Sequence, residues 1–329
     1  MNDQQMKPTI LVNGYAYPTI DSNILQQTLP YLTYLSIFSY HVTALGDLIT
    51  ISDDTLIQTA RNNSVAPMMV ITNIDESGSF SSELAHSILN NESIQDRLLN
   101  TCLNIMQQKQ YYGIDIDFEY IFPSDKEAYN NFLSKAVTLF HPYNFIVTTA
   151  LAPKVSAEQK GTLYEAHDYA FHGKTVDHVI LMTYEWGYTY GPPQAVAPIN
   201  QVQKVLDYAV SVIPSEKILM GIPNYGYDWT LPYEPGSAAR SLSHTQAATL
   251  AQEKGATIQF DEVAQSPYFY YTSEDGKEHV VWFEDARSIE AKLNLVTKYQ
   301  LGGVSYWTIN SFFPDNRNIL ASKFRVQKI

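Results

Sequence analysis

Eight short runs of apolar and β-branched residues recur along this chain, separated by stretches with helical periodicity. The runs cover 10–15 (ILVNGY), 32–40 (LTYLSIFSY), 66–72 (APMMVIT), 113–120 (GIDIDFEY), 145–151 (FIVTTAL), 176–184 (VDHVILMTY), 217–223 (KILMGIP) and 302–309 (GGVSYWTI). Residues of this kind suit strands buried on both faces, and the patterns between them, for example 93–109, 126–140 and 199–212, suit crossover helices. Eight such units are the count of a (β/α)8 TIM barrel, an α/β fold that closes its sheet on itself.

One interval does not fit a simple unit. About 78 residues separate the seventh and eighth runs, where one helix and two short loops would suffice. Residues 228–282 carry their own signals: a helix-like SLSHTQAATLAQEKG, then ATIQF, YFYYT and HVVWF around a SEDGK turn. The expected organisation is a catalytic barrel of residues 1–227 and 283–329, interrupted by a small α+β insertion at 228–282.

Composition narrows the partners. A formal charge of -13 lacks the basic character of a nucleic-acid surface. Cys102 is the single cysteine, so neither an intramolecular disulfide nor a Cys-rich metal site is possible. The first residues, MNDQQMKPTI, lack the basic and apolar regions of a signal peptide, and no run of 18 apolar residues predicts a membrane span. Aromatic residues make up 13% of the chain, with 24 tyrosines. Tyrosine offers a flat apolar face plus a hydroxyl, which suits a wet cleft that stacks on rings, and equally suits helix-to-barrel packing.

The chemistry concentrates in the fourth run. In Gly113-Ile114-Asp115-Ile116-Asp117-Phe118-Glu119 acids alternate with apolar residues at the strand period of two, so the carboxylates share one face. The apolar face must meet the helices, which sends the acids into the barrel interior, where an unpaired charge is costly. Same-face neighbours lie ~6.6 Å apart along a strand. At that range in a low-dielectric site they hinder one another's ionisation and favour a retained proton. Glu119 stands last, at the carboxyl end where barrel active sites lie, and is the candidate general acid. A buried network that only sets strand register is the structural alternative.

A metal site is another use of clustered acids, but it would normally recruit imidazoles. The eight histidines are scattered, with only His41 just after a predicted strand, and no metal or cofactor is expected. A conventional retaining glycosidase would place a second carboxylate ~5 Å from the acid. Glu185, after the sixth run, is a possible partner, but it follows an inward Tyr184, so alternation turns it away unless the loop redirects it. The missing nucleophile is explained if the substrate supplies its own.

The alternating acids resemble the DGxDxDxE signature of glycoside hydrolase family 18, the chitinase-like hydrolases, with Asp115, Asp117 and Glu119 matching its last three acids. Met182-Thr183-Tyr184-Glu185 resembles the family's MxYD, Gly221-Ile222-Pro223-Asn224-Tyr225-Gly226 its GxPxYG, and Trp307 the tryptophan closing the eighth strand. The resemblance implies that the 2-acetamido group of the bound sugar attacks the anomeric carbon. It implies Glu119 as acid and base, Asp117 orienting the acetamide, Asp115 supporting Asp117, Tyr184 bonding the acetamide oxygen and Trp307 flooring the sugar. Met182, Glu185 and Tyr225 would join the substrate site. The sequence departs from the pattern at Tyr112, where the family has an acid, at Glu185, where it has Asp, and in PMMVITN, which lacks its Ser-Gly-Gly element.

YYGIDIDFEYI, MTYEWGYTYGPPQAVAPI, GIPNYGYDW and FDEVAQSPYF resemble the family's spore-cortex-lytic, N-acetylglucosaminidase branch, which implies a peptidoglycan substrate, action in germination and a spore location. The LysM repeats common in that branch are not found in this sequence. A chitinase acting on chitin-like polysaccharide is the enzyme alternative, and a non-catalytic glycan-binding protein on the same scaffold is the alternative of another class. The oligomeric state is left open. Of the aromatics after strand ends, Trp186 and Tyr227 are expected to stack on sugars, with Tyr15 also at the substrate. Tyr17, Tyr40, Tyr188, Tyr190 and Trp229 are not separable from packing.

Overall fold

A computed structural model describes residues 7–329; residues 1–6, most of the stretch read above for a leader sequence, lie outside the described residues. The barrel strands are β1 (Thr9–Ala16), β2 (Tyr34–Val42), β3 (Ala66–Thr72), β4 (Gly113–Asp117), β5 (Ile146–Leu151), β6 (His178–Leu181) and β7 (Ile218–Pro223). Five strands of an insertion follow before the last barrel strand: β8 (Gly226–Leu231), β9 (Arg240–Leu242), β10 (Gln259–Asp261), β11 (Ser266–Thr272) and β12 (Glu278–Trp282). The last barrel strand is β13 (Gly303–Trp307). Among the described residues these eight barrel strands pair in parallel around a closed ring, with β1 joined to both β2 and β13. At the closing seam Gly303 lies so near the Leu11 carbonyl that a Cβ has no room.

Helices α1 (Ser22–Thr28), α2 (Asp54–Asn62), α3 (Ser82–Leu89), α4 (Glu92–Lys109), α5 (Lys126–Phe140), α6 (Tyr169–Thr175) and α7 (Ile199–Val212) surround the first seven strands. The outward side of β4 explains why this strand folds as it does. Ile114, Ile116 and Phe118 are wholly buried, and the Phe118 ring stacks on Tyr129 and Phe132 of α5 at 6.1 and 5.7 Å. Burying each such side chain contributes roughly 1.5–3 kcal/mol. With that face committed to the helices, Asp115 and Asp117 can only point inward.

The insertion is an antiparallel sheet in the order β9-β8-β12-β11-β10, with α8 (His244–Glu253) against one face. Its first strand begins at Gly226, two residues before the stretch singled out in the sequence. Gly226 packs directly against the backbone of Trp282 and Phe283, and only a residue without a Cβ fits there. The SEDGK segment forms the β11–β12 hairpin, closed by the Ser273 N–H bonding to the Lys277 carbonyl at 2.9 Å. Helix α9 (Ala286–Tyr299) returns the chain to β13, and α10 (Pro314–Lys323) completes the ring. No helix of the described residues is long and apolar enough to cross a membrane.

Candidate active site

The interior polar layer is built from neighbouring strands. Asp115 is wholly buried and accepts two charge-assisted hydrogen bonds, from Tyr15 Oη at 2.6 Å and Thr148 Oγ1 at 2.7 Å. Burial pushes its carboxyl above the ordinary range, and the two hydroxyls pull it back. Asp117, one alternation further up, is 4% exposed and its Oδ1 has no protein partner. Burial holds Asp117 well up, reinforced by the charges of Glu119 and Asp115. The ladder of β4 stops at Asp117, so Glu119 lies just beyond the strand and not on it as expected. Glu119 and Asp117 nevertheless line the same cavity, where repulsion between two buried carboxylates favours a proton retained on one of them. Burial lifts Glu119 to about 7, with the Asp117 bond opposing the rise and the Glu185 charge adding to it.

Tyr184, Glu185 and Trp186 follow β6, which ends at Leu181, three residues short of the predicted run. The Glu185 backbone is left-handed, φ 68°, and this resolves the conflict with alternation: the loop turns the carboxylate into the cleft beside Tyr184. There Glu185 Oε1 accepts hydrogen bonds from Tyr225 Oη and, at 2.9 Å, from Tyr227 Oη. Desolvation raises the Glu185 carboxyl and these two hydroxyls lower it. Gly221 of β7 makes room for the Tyr184 ring, whose Cε1 sits 2.7 Å from where a Cβ would be.

Two cavities meet at Glu185 and Trp307. The first, about 460 Å³, holds Asp117, Glu119, Tyr184, Met182, Trp186 and Tyr15 in its walls. The second, about 480 Å³, opens between barrel and insertion against Tyr17, Tyr225, Tyr227 and Gln246. Trp307 forms their common floor, wedged edge-on against Phe38, Tyr15 and Tyr17 at ring-centre distances of 4.8, 5.3 and 5.9 Å. All eleven residues singled out in the sequence therefore belong to this cleft or, for Asp115, support it from beneath.

Of the aromatics not separated from packing in the sequence, Tyr17 and Tyr188 line the cavities, whereas the other candidates lie elsewhere. Tyr40 is a core residue bonded to Asp53, Trp229 is buried with its indole N–H on the Gly191 carbonyl, and Tyr190 is 56% exposed outside both cavities. His41 pairs with the short strand Leu48–Ile49 away from the acids. Tyr112, at the position where the family signature has an acid, packs beside Tyr34 in the barrel interior. Among the described residues no three His, Cys, Asp or Glu side chains are arranged to hold a metal ion.

Sequence reading missed several cleft residues. Phe80, Tyr120 and Tyr164 line the first cavity from loops whose approach carries no periodic signal. Asn73, at the end of PMMVITN, lies under Glu119, its side chain bonded to that residue's backbone.

With this geometry in place, comparison with known proteins decides the family. The description "Glycosyl hydrolases family 18" matches residues 20–311. This chain belongs to that family. It is a glycosidase built on a (β/α)8 barrel. The family-18 chain is 46% identical to the "Cortical fragment-lytic enzyme" of Bacillus subtilis (strain 168), over 98% of this chain and 76% of that protein. It superposes on the crystal structure of the Bacillus megaterium QM B1551 spore cortex-lytic enzyme SleL with a TM-score of 0.96 at 41% identity, covering 100% of this chain and 77% of that one. A chitinase from Chromobacterium violaceum ATCC 12472 shares the fold, with a TM-score of 0.90 at 24% identity over 96% and 99% of the two chains.

Proposed function

We propose that this glycosidase cleaves N-acetylglucosamine linkages in fragments of spore cortex peptidoglycan during germination, by substrate-assisted retention, and that it works in the spore. The similarity to enzymes named for cortical fragments and cortex lysis supports the substrate. The observation that carries the mechanism is that Asp117 and Glu119 line one cleft whose other carboxylate, Glu185, is tied down by two tyrosine hydroxyls.

In the first step the acetamide oxygen of the bound sugar bonds to the anomeric carbon as the glycosidic C–O bond breaks, and Glu119 delivers its proton to the leaving oxygen. Asp117, with its unpartnered Oδ1, orients the acetamide N–H and balances the positive oxazolinium. Asp115, held by Tyr15 and Thr148, maintains negative charge below Asp117. In the second step a water attacks the same carbon, Glu119 takes the water's proton, and the oxazolinium reopens to acetamide. The protein forms no covalent bond to the sugar. Tyr184 meets the acetamide oxygen and Trp307 carries the apolar face of the ring, while Met182, Glu185, Trp186, Tyr225 and Tyr227 line the flanking groove.

A thiazoline analogue of the oxazolinium separates this from a protein nucleophile. Competitive inhibition of cortex-fragment cleavage at concentrations at least tenfold below the substrate KM is expected, because the analogue mimics an intermediate held by Asp117. Indifference to it, together with trapping of a sugar on Glu185, would place the nucleophile on the protein.

A further inference from the structure

The reading of Glu119 as general acid leaves open what holds that acid in place. The β3–β4 ladder ends at the Thr72–Asp117 pair and the β4–β5 ladder at Ile116–Thr149. Beyond these points the peptide groups of Phe118 and Glu119 leave the sheet, yet they remain below the surface where an unmet donor or acceptor is costly. Two side chains replace the ladder. Asn73 Oδ1 accepts the Glu119 N–H at 2.9 Å, and Asn73 Nδ2 donates to the Glu119 carbonyl at 2.8 Å. On the other flank His167 Nε2 lies 2.8 Å from the Phe118 carbonyl.

Each of these side chains is secured in turn. Asn73 is wholly buried, and its Nδ2 also reaches the Ser81 carbonyl at 3.1 Å while the Ser81 N–H bonds back to the Asn73 carbonyl at 2.9 Å. His167 is 1% exposed, and its Nδ1 accepts from the Ala152 N–H at 2.9 Å, which leaves the proton on Nε2 to donate to Phe118. Lys154 Nζ binds the His167 carbonyl at 3.0 Å. The Phe118 ring, wholly buried, stacks on Tyr129 and Phe132 of α5 just before Glu119.

We infer that Asn73 and His167 are positioning residues that hold the Glu119 carboxyl against Asp117 and over the scissile oxygen, doing for this one residue what the sheet does for the acids beneath it. This rests on the assignment of Glu119 as the general acid. A displacement of about 1 Å at such a group is enough to cost ~100-fold in rate.

A purely structural role would lower the amount of folded enzyme without changing its chemistry, so the test reads the proton transfer itself. Loss of acid catalysis penalises a poor leaving group far more than an activated one. Asn73→Ala and His167→Ala are compared with the unaltered enzyme on cortex fragments and on a 2,4-dinitrophenyl glycoside of N,N′-diacetylchitobiose. The expected result, read in kcat/KM because that ratio reports the acid-catalysed first step alone, is a fall of about 100-fold on cortex fragments and of less than about threefold on the activated glycoside. His167→Gln, which can still accept from Ala152 and donate to Phe118, should restore most of the loss. Equal losses on both substrates, or none, overturn the inference.

A second measurement needs no substrate. The titratable groups facing Glu119 are Asp117, Glu185, Tyr120 and Tyr184, with Tyr129 behind. The 13C signal of the Glu119 carboxyl, assigned by its disappearance in Glu119→Gln, should titrate at lower pH in both alanine variants. An unchanged titration refutes the clamp. A shifted titration in an enzyme that leaves cortex fragments intact would instead count against the proposed substrate and leave the clamp standing.

Discussion

Replacing Glu119 by glutamine separates stability from activity at the centre of the site. Glutamine is nearly isosteric with the protonated acid and stays neutral at every pH, while the Asn73 bonds to the backbone are untouched. In the folded protein burial, partly offset by the Asp117 bond and reinforced by Glu185, lifts this carboxyl from its ordinary 4.5 to about 7. A raised carboxyl contributes stability that is full below the unfolded value and lost as pH rises through the folded one. At 1.36 kcal/mol per pKa unit, and discounted because the side chain is half-buried, the loss is about 1–3 kcal/mol. The variant and the parent should therefore be equally stable near pH 4, with the variant about 1–3 kcal/mol more stable by pH 8. Urea unfolding across that range measures the gap, and hydrolysis of cortex fragments by the variant should be abolished. A gap that does not change with pH, or a variant less stable at pH 8, would refute the reasoning.

Two further outcomes follow from particular contacts. Tyr227→Phe removes the 2.9 Å hydroxyl from Glu185 without touching the acids. Losing such a charge-assisted bond at the substrate groove should raise KM roughly fivefold or more with kcat within a factor of about two, read by steady-state kinetics. Phe118→Ala opens a cavity between β4 and α5 and should cost about 3–5 kcal/mol in unfolding free energy. A cost below about 1 kcal/mol would mean that the outward face of β4 does not anchor the acids.

Much of this site is legible in the order of its residues. Alternation along Gly113–Asp117 was enough to put Asp115 and Asp117 on the inner face, because a strand has only two faces and the helices claim the apolar one. The spacing of eight β-branched runs was enough for the barrel. Period-based reasoning lost its hold where periodic structure ends. Glu119 and Glu185 both sit past the last ladder pair of their strands. In the first case Asn73 and His167, distant in sequence, replace the ladder; in the second a left-handed residue reverses the direction alternation predicts.

The barrel, the inward acids and the family to which they belong are thus written in the residue order. Folding in three dimensions is what turns Glu185 into the cleft under two tyrosine hydroxyls, sets Trp307 as the floor of two cavities and makes Tyr15 a donor to Asp115. Local periodicity acts over a few residues and is written in their order. A cleft at the end of a barrel is assembled from loops joined through space, so its partners are set by barrel closure, which no short stretch of sequence records.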